Sequence, residues 1–154
     1  MTNDEALSKA MKLCSTKEYA PYEIEQKLIS WGLLDDAITE VIETLRKEKF
    51  MDEFRMARFF ANDKLKFNKW GKIKIKFMLQ QKKVSREAIS EALEQIDPDL
   101  YQKILLEELK KKRKTIKDND EYQVRAKLFQ FASGRGFEGD VVYKLLDGMR
   151  LSEK

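Results

Sequence analysis

Three stretches of this chain repeat one pattern of apolar residues, and this repeat constrains the fold more than any other feature of the sequence. The pattern recurs after 51 residues and again after a further 53. Its copies are Ile24, Leu28, Gly32, Leu33, Ile38, Ile42 and Leu45; Ile75, Leu79, Lys83, Val84, Ile89, Leu93 and Ile96; and Leu128, Ala132, Gly136, Phe137, Val142, Leu146 and Met149. The spacing within each copy predicts a helical hairpin preceded by one more helix.

We therefore predict an all-α fold of three tandem three-helix repeats, whose helix-turn-helix-like units stack into an elongated, curved array. The predicted repeats cover residues 1–51, 52–97 and 98–154. The predicted helices cover residues 4–15, 21–31, 35–47, 53–67, 70–81, 85–96, 98–114, 119–133 and 138–150. Asp52, Ser85 and Asp97 stand where a side chain can cap the start of a helix. Gly32 stands where the end of a helix needs a left-handed residue.

Composition argues against an enzyme. The sequence has no histidine, and Cys14 is its single cysteine, so the usual metal sites, imidazole bases and internal disulfides are excluded. We expect no cofactor, and we interpret Cys14 as a core residue rather than a catalytic thiol, because it continues an apolar helical series. No apolar run has the length of a membrane span, and Met1–Glu5 is polar and acidic, unlike a signal peptide. We expect a soluble, cytoplasmic protein that does not contact membranes.

Basic residues are concentrated in the middle of the chain. The formal charges sum to −4 over residues 1–63, to +9 over residues 64–117 and to −1 over residues 118–154. Residues 64–86 and 110–117 contain no acid, whereas a solvated helix normally mixes both signs. These stretches predict an anionic partner such as a nucleic acid backbone. The candidate DNA-binding residues are Lys64, Lys66, Lys69, Lys72, Lys74, Lys76, Lys83, Arg86, Lys110, Lys111, Lys112, Arg113 and Lys114.

Lysines and large apolar residues occupy neighbouring sides of the predicted helix in the central stretch. At 100° per residue, one narrow sector holds Lys69, Lys72, Lys76 and Lys83. The bordering apolar group is Trp70, Ile73 and Phe77. We interpret this group as packing between repeats, because large apolar side chains are usually buried. The alternative is an exposed set of anchors for bases or for a protein partner, with Trp70 and Phe77 as the candidate partner-binding residues.

Three short motifs resemble those of the RecX regulatory family. Residues 50–60 read FMDEFRMARFF, which closely resembles the family signature F-I-D-D-x-R-F-A-x-x-F. Residues 70–75 read WGKIKI, similar to the family element G-x-x-[RK]-I, and residues 135–137 read RGF, as the family does in its third repeat. The sequence departs from the family at Lys83, where the other two copies have glycine. A positive φ at a lysine costs about 1 kcal/mol, so we expect that helix to end differently.

The resemblance implies a function. Proteins of the RecX family bind the RecA recombinase along the groove of its filament on single-stranded DNA, and they damp its ATP hydrolysis and strand exchange. The expected partners are therefore the RecA filament and single-stranded DNA, in DNA repair, recombination and the SOS response, and the expected protein is a monomer without enzymatic activity. On this view the acidic first repeat faces protein, although solvated surface is an equal alternative. The acidic residues concerned are Glu23, Glu25, Asp35, Asp36, Glu40 and Glu43.

Two other functions are compatible with the sequence. The first is a RecA-independent nucleic-acid-binding protein of helix-turn-helix type, with residues 70–81 in a groove. Base-edge recognition more often uses arginine, asparagine or glutamine than lysine, which disfavours this alternative. The second is a protein scaffold without nucleic acid contact. Within the signature, we interpret Asp52, Glu53 and Arg55 as structural, because acids stabilise the start of a helix.

Overall fold

The computed structural model describes residues 1–149 and residue 151. Within these residues the chain forms nine α-helices and no β-strand. The helices are α1 (Asn3–Thr16), α2 (Pro21–Ser30), α3 (Asp35–Lys47), α4 (Glu53–Asn68), α5 (Lys72–Gln81), α6 (Arg86–Glu94), α7 (Pro98–Thr115), α8 (Glu121–Gly134) and α9 (Gly139–Asp147). The prediction of nine helices in an all-α fold is confirmed for the described part of the chain.

Helix boundaries differ from the prediction by up to three residues at an end. The bounds of α3 are those predicted, whereas α5 begins at Lys72 rather than at residue 70. Its start is delayed because Lys69 has a φ of 57° and Gly71 donates its amide hydrogen to a carbonyl outside the helix. The observed α6 is also shorter than the predicted 85–96. Helix α9 ends at Asp147, earlier than predicted, and the predicted last residue, 150, lies outside the described residues.

Polar side chains begin several helices as predicted. The side-chain oxygens of Asp52, Ser85 and Asp97 accept hydrogen bonds from backbone amides in the following turn, at donor–acceptor distances of 3.0 to 3.2 Å. In α2 the carboxylate of Glu23 accepts the Ala20 amide at 2.8 Å, and the proline at the first helical position needs no acceptor. These bonds satisfy amides that have no partner within the helix.

The second helix of each repeat ends in the same turn. After α2, α5 and α8, the residues Gly32, Lys83 and Gly136 have φ values of 88°, 58° and 92°. Beyond Lys83, the amide of Val84 donates to the carbonyl of Leu79 at 3.2 Å, and the equivalent bonds after α2 and α8 measure 3.1 Å. The expectation that Lys83 would end its helix differently is therefore wrong. Burial of Val84 and Leu79, together with the backbone bond, outweighs the cost of about 1 kcal/mol for a left-handed lysine.

The chain forms two compact units, and each is discontinuous in sequence. The first comprises Met1–Phe59 and Met78–Ala92, and in it α1 and α2 pack on α3. Its core consists of Ala6, Ala10, Ile24, Leu28, Ile38, Val41, Leu45 and Met51. The half-buried Cys14 packs against this core, as predicted. Burial, and then the charge of Glu18, raises the pKa of the Cys14 thiol, which disfavours the reactive thiolate.

The second unit comprises Phe60–Phe77 and the chain from Leu93 onward. Here α7, α8 and α9 pack on one another. Its largest fully buried side chains are Leu65, Ile75, Ile96, Leu105, Leu109, Leu128, Phe137 and Leu146. The end of α4 and the start of α5 thus contribute to the same unit as the C-terminal helices. None of the helices in the described part of the chain is long and apolar enough to cross a bilayer.

Candidate nucleic-acid and partner interface

Two glycines bring backbones together at the start of α5. The Gly71 amide donates to the carbonyl of Arg135 at 2.8 Å, and the Ile73 amide donates to the carbonyl of Gly136 at 3.0 Å. A Cβ added at Gly71 would lie 2.3 Å from the backbone nitrogen of Phe137, closer than non-bonded atoms approach. The WGKIKI and RGF motifs are therefore two sides of one backbone contact. This contact was missed from the sequence, although a glycine in each motif was its signal.

A buried tyrosine fixes the first turn of α5. The Tyr101 hydroxyl accepts the Lys72 amide hydrogen at 2.8 Å and donates its own hydrogen to the carboxylate of Glu138. Its ring packs on that of Phe137, with 5.3 Å between centroids. Burial, and then the bond to Glu138, raises the pKa of Tyr101 well above its usual range. The neutral hydroxyl therefore holds the N-terminus of α5 in place.

The helix carries fewer of the candidate lysines than predicted. Lys72, Lys74 and Lys76 lie on α5, whereas Lys69 and Lys83 lie in the flanking turns with positive φ. The single helical sector proposed for four lysines is therefore wrong. Positive φ at residues 69 and 83 removes both from the regular 100° rotation of the helix. Their charges remain in the basic segment, but no common helix face defines their direction.

Three half-buried lysines of the second unit lie over aromatic rings. The ammonium groups of Lys64 and Lys74 are 5.4 and 4.7 Å from the Trp70 ring centroid, and that of Lys72 is 5.1 Å from the Tyr101 centroid. Such contacts position a cation without neutralising it. The exposed candidates in this stretch are Lys66, Lys76, Lys83 and Arg86. The segment therefore keeps a positive potential that an anionic partner can use.

The apolar group beside the lysines is largely exposed. Ile73 and Phe77 expose 56% and 55% of their surface, so the interpretation that they pack between repeats is wrong. They lie one turn apart on α5 beside the exposed Lys76, on the side opposite the buried Ile75. Trp70 is half-buried, with its ring centroid 6.5 Å from that of Phe60. The candidate Phe77 is therefore accessible to a partner.

The end of α4 adds an exposed aromatic residue that the sequence analysis missed. Phe67 is 78% exposed. Three of the buried residues of this helix, Ala57, Ala61 and Leu65, recur every four positions, and Phe67 falls outside that series. Its position off the apolar stripe was the available signal. Large exposed apolar residues gathered in one part of a chain mark interaction surfaces.

The residues of the second basic run, 110–114, differ in their exposure. Lys110, Lys111 and Lys114 are exposed and Lys112 is half-buried. Arg113 is only 3% exposed, and its guanidinium donates to the carbonyls of Leu151 and Ile116 at 2.8 and 3.1 Å. Including Arg113 among the DNA-binding candidates was therefore wrong. Arg113 lies among the buried residues of α7, and its guanidinium therefore binds backbone carbonyls instead of facing solvent.

The acidic residues of the first unit have different surroundings. The Glu23 carboxylate pairs with the Lys82 ammonium at 2.8 Å in addition to its bond with the Ala20 amide. The other five acids proposed to face protein are exposed. Arg55, in the signature segment, pairs with Glu18 at 2.8 Å, which agrees with a structural role for the signature polar residues. Among the described residues, no group of three potential ligands could hold a metal ion.

Comparisons with known proteins agree with this geometry. Residues 6–45, 52–93 and 99–146 match the models of the first, second and third three-helix domains of RecX. The chain is 32% identical over 122 residues to a regulatory protein RecX of Clostridium botulinum (strain Eklund 17B / Type B), covering 78% of this chain and 57% of that protein. It is 30% identical over 146 residues to the regulatory protein RecX of Clostridium tetani (strain Massachusetts / E88), covering 94% of this chain and 67% of that protein.

Solved structures show the same fold. The crystal structure of RecX from Lactobacillus salivarius has a TM-score of 0.88 at 18% identity, with 95% of each chain covered. A second crystal structure of a regulatory protein RecX has a TM-score of 0.84 at 19% identity, covering 96% of this chain and 72% of that one. The described residues thus have an all-α fold of tandem three-helix domains, as predicted. The chain belongs to the RecX family, and it spans 57% of the length of two relatives from Clostridium botulinum.

Proposed function

We propose that this protein binds the RecA recombinase filament on single-stranded DNA and inhibits or modulates its ATP hydrolysis and strand exchange, without being an enzyme itself. The observation that carries the proposal is the match of all three RecX domains, in order, from residue 6 to residue 146. On this proposal the protein acts in the cytoplasm, in DNA repair, recombination and the SOS response, as a monomer without a cofactor.

The second unit supports a contact with DNA. Lys76 lies beside Ile73 and Phe77 on the exposed side of α5, and Lys66 and Phe67 end α4. Lysines attract phosphate whatever the sequence, and exposed aromatic faces stack on unpaired bases. This combination favours single strands over sequence-specific binding to duplex DNA.

The first unit supports a contact with protein. A cavity of about 320 Å³ between α2 and α3 has Ile38 and Ile42 in its wall, with the acids Glu25, Asp35 and Glu43 and the base Arg46 around it. An apolar floor with a predominantly acidic border suits a partner surface that presents an apolar side chain between basic ones. On this proposal that surface belongs to the recombinase.

The proposal is tested by RecA-dependent ATP hydrolysis on single-stranded DNA, with increasing amounts of this protein. Hydrolysis should fall, and the inhibition should require DNA-assembled RecA. The control is the same titration with heat-denatured protein. No change in hydrolysis or strand exchange at several-fold excess over RecA would refute the proposed function.

A RecA-independent nucleic-acid-binding protein of helix-turn-helix type remains the second candidate, because the exposed side of α5 could enter a groove. Proteins of that type usually read sequence as symmetric dimers. Competition between specific and random duplexes, combined with sedimentation analysis, separates the two functions. A dimer that prefers one duplex sequence and leaves RecA unaffected would favour the second candidate.

A further inference from the structure

A basic cleft lies in the second unit, between the end of α7 and the middle of α8. Its volume is about 420 Å³, within the range of small-ligand sites. Its lining includes three lysines, one amide and two apolar side chains: Lys112, Lys117, Lys127, Gln130, Ile116 and Phe131. None of its lining residues belongs to the central stretch at residues 64–86, and only one of them, Lys112, was a candidate in the sequence.

The charges in the cleft are mostly uncompensated. Within the described part of the chain, neither Lys112 nor Lys117 has a carboxylate within salt-bridge distance. Lys127 reaches Asp118 only at 4.0 Å. Among the described residues, three ammonium groups therefore face one carboxylate, and the cleft attracts anions.

An aromatic ring and an amide complete the cleft. The half-buried Phe131 has the Lys112 ammonium 5.5 Å and the Arg135 guanidinium 4.8 Å from its ring centroid. The Arg135 guanidinium forms an ion pair with the Glu108 carboxylate at 3.4 Å. The Lys112 side chain, in contrast, can rotate away from the ring and bind a ligand. The exposed amide of Gln130 can both donate and accept hydrogen bonds.

We propose that this cleft holds one nucleotide unit of single-stranded DNA. The phosphate lies among Lys112, Lys117 and Lys127, and the base lies against Phe131 with its edge toward Gln130. The chemistry favours a nucleotide over a bare phosphate because cationic and apolar parts of the site adjoin. This inference rests on the proposed function for its ligand, and it adds a DNA contact in the third repeat to that of the central segment.

The chain provides a matched control. Lys47, Lys103 and Lys144 are exposed lysines that do not line the cleft and are not among the candidate DNA-binding residues. A triple change of these three to alanine removes as much charge as a triple change of Lys112, Lys117 and Lys127. Any difference between the two variants therefore reports position rather than net charge.

Binding of a fluorescein-labelled oligo(dT) strand is measured by anisotropy across a range of salt concentrations. The cleft variant should lose about tenfold or more in affinity, with the log–log salt slope reduced by roughly 0.7, the value for one phosphate contact. The control variant should lose much less. Equal losses in the two variants would overturn the proposal.

A second variant tests the base. Phe131→Leu keeps an apolar side chain but removes the aromatic face, so binding of oligo(dT) should weaken about fivefold or more. Binding of an abasic strand of equal length should not change. Equal effects on both strands would overturn stacking in the cleft. Circular dichroism melts of each variant separate lost binding from lost folding.

Two further measurements identify the source of the nucleotide. ATP alone should compete with the labelled strand only weakly, because it engages one unit of a longer ligand. Tight ATP binding that requires the cleft lysines, with strand binding unaffected by them, would overturn the assignment to DNA. If the cleft lysines are dispensable while wild-type protein still inhibits RecA, this inference fails and the proposed function stands. If the wild-type protein does not inhibit RecA at all, the proposed function is refuted instead.

Discussion

Glycine positions are where single residues matter most to this fold. Gly71 and Gly136 allow two backbones to bond directly, so any side chain there displaces main-chain atoms. We predict that Gly71→Ala lowers the free energy of unfolding by about 2–3 kcal/mol, the cost of overpacking a tight site. Gly134→Ala is the control, because its added Cβ meets nothing within 4 Å. Urea denaturation measures both, and equal effects would contradict the close approach.

A change at Lys83, which has a positive φ, is predicted to stabilise the fold rather than destabilise it. Lys83 adopts a φ of 58° that glycine adopts without strain. Lys83→Gly should therefore raise the free energy of unfolding by up to about 1 kcal/mol. Gly32→Ala, in the equivalent turn, should lower it by a similar amount, since its Cβ meets no neighbour and only the backbone is strained. Thermal melts followed by circular dichroism test the pair, and destabilisation by both changes would refute this explanation.

Tyr101 makes stability depend on pH. Its pKa is raised in the folded state, so its contribution is present below the usual tyrosine pKa of about 10 and is lost as the pH rises above that value. Tyr101→Phe should cost about 1–2 kcal/mol at neutral pH, because the Lys72 amide loses its acceptor. The difference in unfolding free energy between wild type and variant should shrink above pH of about 10. A difference that stays constant would exclude this role.

At the scale of helices, the sequence predicted what local periodicity determines. Every helix exists, and α3 has the predicted bounds because an apolar stripe and acidic first turn define it locally. The start of α5 was not predictable, because it depends on backbone atoms of residues 135 and 136. The exposure of Phe77 was likewise missed, because the general tendency to bury aromatic residues does not say which face of a helix meets the core.

The exposed lysines of α4 and α5, Lys66 and Lys76, give a prediction at the scale of helices. Lys66→Glu and Lys76→Glu together should weaken binding to single strands and flatten the log–log salt slope by about 1.4, at roughly 0.7 for each lysine. Lys103→Glu with Lys144→Glu is the control, because both residues are exposed on other helices. Fluorescence anisotropy at several salt concentrations measures the slope. Equal slopes for the two double variants would remove the central segment from the DNA contact.

At the scale of the whole molecule, sequence repeats and compact units divide the chain differently. The family domains follow the sequence order, whereas the second unit combines Phe60–Phe77 with the chain from Leu93 onward. The repeat boundaries at 51/52 and 97/98 remain a prediction from periodicity. Periodicity could not show the units, because they depend on contacts between residues far apart in sequence, such as Lys72 and Tyr101.

Truncation after Pro98 tests whether stability follows the sequence repeats or the two compact units. The fragment keeps Met1–Phe59 and Met78–Ala92, but Phe60–Phe77 loses the residues it bonds, Tyr101 and the backbone of 135–136. We predict that the fragment stays helical and melts at a lower temperature than the full chain. Hydrogen exchange should show lost protection across residues 60–77, while α1 to α3 stay protected, because local stability follows buried contacts. Uniform protection of the whole fragment would show that the second repeat folds without the third, as independent repeats would.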